Sequence, residues 1–174
     1  RSSDLVSDLL SLANPDDLEC SERVDLSRLL ARAAGTLEEA ARAQNIAIRL
    51  ETGPVTVSGN AVLLERALFN LMENAVKYNR PGGTMTVRTM CAGTCARVEV
   101  CDEGVGIPPE FREQIFEPFF RVDKSRSRQL GGAGLGLSLV RAIAELHGGS
   151  VRAEAVQDRG SRFLLVLPRL LEAP

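Results

Sequence analysis

Twice along this chain a pair of short strand-like runs is joined by a connection too short to cross a sheet. Thr84 to Met90 and Arg97 to Cys101 flank a loop containing Gly93; Val151 to Ala155 and Ser161 to Leu167 follow near the end. Runs joined this tightly pair antiparallel, because a parallel pair needs a crossover of a dozen or more residues. Segments with helical period stand around these hairpins. Leu26, Leu29, Leu30, Ala33 and Leu37 line one face of a helix running to about Gln44, with Asp25 placed to cap it. Ala61 to Tyr78 read as a second helix capped by Asn60, and Leu135 to Leu146 as a third, ended by Gly148 and Gly149. Ile46, Ile48 and Leu50 alternate with Ala47, Arg49 and Glu51 as a strand, and Val55 to Val57 form another after the Gly53-Pro54 turn. The order is helix, strands, helix, hairpin, irregular segment, helix, hairpin. It predicts an α/β (α+β) two-layer sandwich, with a mixed, largely antiparallel sheet and helices on one face.

The 174 residues suit one domain with a real core, and 44% hydrophobic with 25% charged residues is ordinary for a globular chain. A net charge of −2, no tryptophan and a single tyrosine argue against a nucleic-acid partner, which would need a basic face or stacking aromatics. No apolar run is long enough for a membrane span. Arg1-Ser2-Ser3-Asp4 is too polar to open a signal peptide and no methionine starts the chain, so the sequence reads as part of a longer protein. Leu5, Val6, Leu9, Leu10 and Leu12 recur at helical intervals until Asn14-Pro15, as the end of a longer helix would. Of the four cysteines, Cys91, Cys95 and Cys101 cluster, but their spacing fits no zinc site and the only histidine, His147, is distant. They read as small, partly buried hydrophobes.

The chemistry concentrates in polar and glycine-rich segments that break local rules together. Asn70, Glu73, Asn74 and Lys77 lie three and four residues apart and share one face of the second helix. Asparagine is a poor helix former, whereas its carbonyl oxygen is a suitable ligand for Mg²⁺ and a nearby lysine can neutralise phosphate. Asp102-Glu103-Gly104-Val105-Gly106 follows an apolar strand, placing an acceptor for an exocyclic amino group beside glycines that allow close approach. Gly131-Gly132-Ala133-Gly134-Leu135-Gly136-Leu137 leads into a helix, and backbone N–H groups there form a phosphate cradle. The stretch from Asp102 to Ala133, with one short helical piece near Glu110 to Ile115, is long and irregular, as functional lids are.

Together these segments resemble the histidine kinase family of the GHKL superfamily, with its Bergerat ATP-binding fold. Asn70 to Tyr78 resembles the N box, Asp102 to Pro108 the G1 box, Phe116 to Arg121 the F box, Gly132 to Leu137 the G2 box, and Gly160 to Phe163 the closing G-T-x-F segment. The resemblance covers Arg23 to Pro168. It implies ATP and Mg²⁺ as cofactors and transfer of the γ-phosphoryl group to a histidine on a separate domain. It implies that Asn74 ligates the metal, Asn70 supports metal or phosphates, Lys77 meets phosphate, Tyr78 stacks near adenine or ribose, and Asp102 reads the adenine amino group. Gly104, Gly106, Gly132, Gly134 and Gly136, with Leu135 and Leu137, shape the pocket. It implies that Arg121, Lys124, Arg126 and Arg128 are lid cations, any one of which would reach the γ-phosphate. Ala133 departs from the threonine, serine or glutamine often found there, and offers no side-chain oxygen.

The resemblance further implies that residues 1–19 end a dimerisation and phosphotransfer hairpin and that 20–174 are the catalytic domain. The parent protein would be a homodimeric, membrane-anchored sensor of the inner membrane, with this domain cytoplasmic and a response regulator as partner. His147 resembles a structural H-G-G turn, suited to a helix C-terminus where a cation favours the dipole. Phe116, Phe119 and Phe120 read as core residues anchoring the lid. Relatives that hydrolyse ATP carry glutamate at the position of Asn70; an amide cannot take a proton from water, which disfavours a gyrase- or chaperone-type ATPase. A purely partner-binding module is disfavoured by the phenylalanine-rich lid.

Overall fold

The computed structural model describes residues 19–123, 134–156 and 159–171. The leading helical stretch, the lid residues Lys124, Arg126 and Arg128, and Gly131 to Ala133 lie outside the described residues.

Strand β1 (Glu22–Asp25) runs into helix α1 (Leu26–Ala43), whose N-cap Asp25 accepts from the Ser27 N–H at 3.0 Å. Strands β2 (Ala47–Glu51) and β3 (Thr56–Gly59) follow, then helix α2 (Ala61–Lys77), where the Asn60 side chain accepts from the Leu63 N–H at 3.0 Å. Hairpin β4 (Thr84–Ala92) and β5 (Cys95–Cys101) leads to two 3-10 turns, Pro109–Phe111 and Gln114–Phe116. Helix α3 (Gly136–Leu146) and strands β6 (Ser150–Ala155) and β7 (Ser161–Pro168) complete the chain.

The main sheet has the order β2-β4-β5-β7-β6. Every neighbouring pair in it is antiparallel except β2 with β4, whose parallel alignment is made possible by the crossover through α2. β1 and β3 form a separate antiparallel pair. The predicted mixed, largely antiparallel sandwich is the one observed. β1 was not foreseen: its four residues carry one buried apolar side chain, Val24, and no alternation to read. The predicted helical piece at 110–115 is two separate 3-10 turns, and the strand placed at 55–57 is shifted to 56–59.

One face of the sheet presents Met85, Val87, Val98, Val100, Phe163 and Leu165, all buried, to the apolar sides of α2 and α3. α2 contributes Leu64, Leu68, Leu71 and Met72, α3 Val140 and Ile143. Withdrawing each large side chain from water contributes about 1.5–3 kcal/mol. The alternate residues form the other face, where Arg88 meets Glu51 at 2.6 Å and Glu154 meets Arg152 and Arg162 at 2.7 and 2.8 Å. Cys91 and Cys95 pair across the hairpin with Ala96 and Ala92, so they point to opposite faces; none of the four cysteines is in a disulfide. Among the described residues no group of histidine, cysteine or carboxylates is arranged to hold a metal, and no helix is long and apolar enough to cross a membrane.

His147 ends α3 as expected, but not as a cation. Its Nε2 accepts from the Asn60 N–H at 3.0 Å while Nδ1 lies 2.7 Å from the Ile143 carbonyl, to which it donates. An imidazole holding both bonds is neutral. This buried ring joins the end of α3 to the start of α2, and so fixes the two helices that carry the site.

Candidate functional site

α2 divides its surface between two tasks. Leu68, Leu71, Met72 and Ala75 turn inward, while Asn70, Glu73, Asn74, Lys77 and Tyr78 line a cavity of about 490 Å³. The size is that of a small-molecule site. Its other walls are Asp102, Val105, Gly106, Ile107 and Pro108; Ile115, Phe120, Arg121, Val122 and Asp123; Gly134 to Leu137; and Ser161 with Phe163.

Asp102 stands just past the end of β5 and is 5% exposed. Its Oδ1 accepts from the Gly104 N–H at 2.8 Å and the Ser161 N–H at 3.3 Å, so Oδ2 is the oxygen available to a ligand. Burial lifts the carboxyl from 3.8 to about 6, against the two backbone donors that pull it down. A buried carboxylate with one engaged oxygen is a hydrogen-bond acceptor waiting for a donor.

The opposite wall supplies donors. Among the described residues no side chain caps the N-terminus of α3; Leu135 occupies the cap position. The first turn of α3 lines the cavity through Gly136 and Leu137, where helix N–H groups and the helix dipole suit an anion. The Asn70 Nδ2 donates to the Gly136 carbonyl at 3.4 Å, and Ser138 Oγ donates to the Leu135 carbonyl at 2.8 Å, which together fix this turn against α2. Gly134 has φ +76°, a conformation natural to glycine, and its carbonyl accepts from the Phe119 N–H at 2.9 Å.

Of the site residues expected from the sequence, Asn70, Asn74, Lys77, Tyr78, Asp102, Gly106, Arg121, Gly134, Leu135, Gly136 and Leu137 are brought together at this cavity. Gly104 is not part of the lining. It lies behind Asp102, where a Cβ would overlap the Tyr78 carbonyl oxygen. Lys124, Arg126 and Gly132 lie outside the described residues. Phe116 is core, at 2% exposure, stacked edge-on to Phe163 and covered by Arg141, whose guanidinium sits 5.0 Å over the ring and bonds Glu113 at 3.1 Å. Phe119, by contrast, is 55% exposed with φ +64°, because its backbone turns to meet Gly134; it is not a core residue. The apolar wall of Val105, Ile115 and Phe163 and the backbone donor of Ser161 were not foreseen as site residues. Glycines at 104 and 160 were the available signal: a Cβ at Gly160 would overlap the Asp102 carbonyl oxygen, so both mark close approach to the Asp102 segment.

Gly104→Ala is therefore expected to displace the Asp102 loop from α2. Thermal unfolding should show a loss of about 1–3 kcal/mol, as overpacking commonly costs. An unchanged Tm would contradict the contact.

A two-layer fold with an acidic strand end, a polar helix face and a helix start meeting at one cavity defines a nucleotide-site class of domain. Residues 59–171 match the family model described as histidine kinase-, DNA gyrase B- and HSP90-like ATPase, and the chain belongs to this family. The sensor-like histidine kinase SenX3 of Mycobacterium tuberculosis is 37% identical over 99% of this chain and 43% of its own length. The circadian input-output histidine kinase CikA of Synechococcus elongatus is 36% identical over 95% of this chain and 23% of its length. This chain thus spans less than half of these curated relatives. Among solved structures, the mycobacterial sensor histidine kinase MprB superposes with a TM-score of 0.74 at 34% identity, covering 86% of this chain and 97% of that one. ShkA in complex with AMPPNP gives 0.76 at 28% identity, covering 88% and 32%, and ThkA in complex with the response regulator TrrA 0.76 at 27%, covering 97% and 47%.

Proposed function

We propose that this domain binds Mg·ATP in the cavity and presents the γ-phosphoryl group to a histidine on a dimerisation and phosphotransfer domain. Residues 1–19 would end that domain and 20–174 form the catalytic one. The observation that carries the reading is the convergence of Asp102, the Asn70–Asn74–Lys77 face and the start of α3 on one cavity. Oδ2 of Asp102 suits the adenine amino group, with Tyr78 and the apolar wall against base and ribose. Phosphates suit Lys77 and the α3 N–H groups, with Arg121, Lys124 and Arg126 as the cations closing on the terminal phosphate.

The donor set fits Mg²⁺. Asn74, with Asn70 one turn away, offers hard amide oxygens, and the described residues supply no carboxylate cage. Such a metal takes few protein ligands and is held largely through substrate phosphates. When bound it supplies neutralisation of phosphate charge; the residues of this chain orient the nucleotide and exclude water from the base. The AMPPNP complex of ShkA and the response-regulator complex of ThkA support nucleotide and response-regulator partners for this chain too. The whole protein is read as a homodimeric, membrane-anchored sensor kinase with this domain on the cytoplasmic side.

Calorimetry tests the nucleotide step. ADP should bind with Mg²⁺ more tightly than without it, and adenosine more weakly than ADP. Absence of ADP binding, or binding indifferent to Mg²⁺, would overturn the assignment.

A further inference from the structure

A polar cluster outside the cavity joins the C-terminal end of α2 to the loop that carries Asp102. Asn79, 7% exposed, is its centre. Its Oδ1 accepts from the Arg80 N–H at 3.0 Å and the Glu103 N–H at 3.2 Å, and its Nδ2 donates to the Thr84 carbonyl at 3.2 Å. Glu103 answers from the other side: Oε2 accepts from the Thr84 N–H at 2.6 Å and from Arg80 Nη2 at 3.4 Å. Three segments are thereby locked: the end of α2, the start of β4 and the loop after β5. Two glycines permit the closeness. A Cβ at Gly83 would overlap Asn79 Oδ1, and one at Gly104 the Tyr78 carbonyl.

We infer that Asn79 and Glu103 are positioning residues that set where Asp102 stands relative to α2, and thereby determine which nucleobase the cavity accepts. The inference rests on the nucleotide-binding reading above. Neither residue lines the cavity, so neither touches the ligand. Each is instead the immediate sequence neighbour of a residue that does: Asn79 follows Tyr78, and Glu103 follows Asp102. Adenine presents an amino donor where guanine carries a carbonyl oxygen. A carboxylate fixed at one place accepts from the first and repels the second; one that swings loses that discrimination. A displacement of an ångström is enough to weaken a positioned contact severely. The exposed Arg80–Glu103 ion pair adds little by itself. The bond from the Thr84 N–H to Glu103 Oε2 holds the loop together with that from the Glu103 N–H to Asn79 Oδ1.

Calorimetric titration of ADP and GDP against the 174-residue chain, with thermal unfolding alongside, tests this. Glu103→Ala should lower the preference for ADP over GDP about tenfold, the size of one well-placed hydrogen bond. Glu103→Gln, which keeps an acceptor for the Thr84 N–H, should stay within about twofold of the parent. In an Asp102→Asn background, Glu103→Ala should change the preference no further while lowering Tm as before, because its effect on the base runs through Asp102. A Glu103→Ala chain that loses Tm but keeps its preference overturns the inference, as does a loss of preference that persists undiminished in the Asp102→Asn background. If Glu103→Ala does not fold, Glu103→Asp, one methylene short of Thr84, carries the same expectation at about threefold. Should Asp102→Asn itself leave the preference untouched while ADP still binds, the reading of Asp102 fails first and the inference falls with it; loss of ADP binding by the parent chain would instead remove the site altogether.

Discussion

Asp102→Asn is expected to weaken ADP binding by roughly 100-fold and, at pH 7 to 8, to make the empty domain more stable. The two effects have one cause. Asn keeps an oxygen for the Gly104 and Ser161 N–H groups but turns a donor toward the adenine amino group, and two facing donors leave both unpaired at about 3 kcal/mol. The stability gain follows from the raised carboxyl. Burial places it at about 6 rather than 3.8, so the folded domain holds the proton more tightly than the unfolded chain does. Its contribution to stability is fully present below 3.8 and is lost as pH rises through about 6, a difference of about 3 kcal/mol at most. A neutral amide escapes that cost, and Tm at pH 7.5 should rise by a few degrees. Ligand affinity runs the opposite way with pH. The ionised carboxylate makes the stronger, charge-assisted bond, so ADP affinity of the parent should fall more steeply as pH drops through 6 than that of Asp102→Asn, which reports only the titration of the phosphate. Equal affinities for the two chains at pH 7.5, or parallel pH profiles, would show that Asp102 does not face the base.

The polar half of this site was legible from the sequence because its parts are local. Asn70, Asn74 and Lys77 announce a common face by spacing alone, and Asp102 is placed by the strand before it and the glycines after it. Caps at Asp25 and Asn60 set both helix starts for the same reason, since a side chain reaching a backbone N–H two or three residues on needs no tertiary partner. The apolar half was not legible. Ile115, Phe120 and Phe163 come from different segments and become one wall only when β7 lies beside β5. β1 is a strand because β3 pairs with it, and its own four residues carry no period. Phe119 was expected inside; the close approach of Gly134 turns its backbone to φ +64° and its ring outward. His147 was placed correctly at a helix end, yet its physical role is to accept from Asn60 as a neutral ring, a contact spanning 87 residues. Each miss is a tertiary contact overriding a local rule.

Incubated with Mg·ATP, this chain alone should acquire no phosphohistidine, and label should appear on an added hairpin domain that carries an acceptor histidine. The chain has one histidine. His147 caps the C-terminal end of α3, whose 11 residues extend about 16 Å from the start that faces the cavity. Its two ring nitrogens are spent on Asn60 and Ile143, and the ring is 8% exposed, so no lone pair is free to attack. Transfer requires an acceptor nitrogen in line with the γ-phosphorus at near-attack distance, which only a separate element docking over the cavity mouth can provide. Asn74→Ala should reduce that transfer by roughly 10³-fold, about 4 kcal/mol of transition-state stabilisation, because it removes the amide oxygen proposed for Mg²⁺. Lys77→Ala should cost less, since the α3 N–H groups still meet the phosphates. Both variants should unfold at the Tm of the parent, as Asn74 and Lys77 are half-exposed and outside the core. Acid-labile phosphate on His147, or undiminished transfer by a folded Asn74→Ala chain, would remove respectively the structural role of that histidine and the metal role of that asparagine.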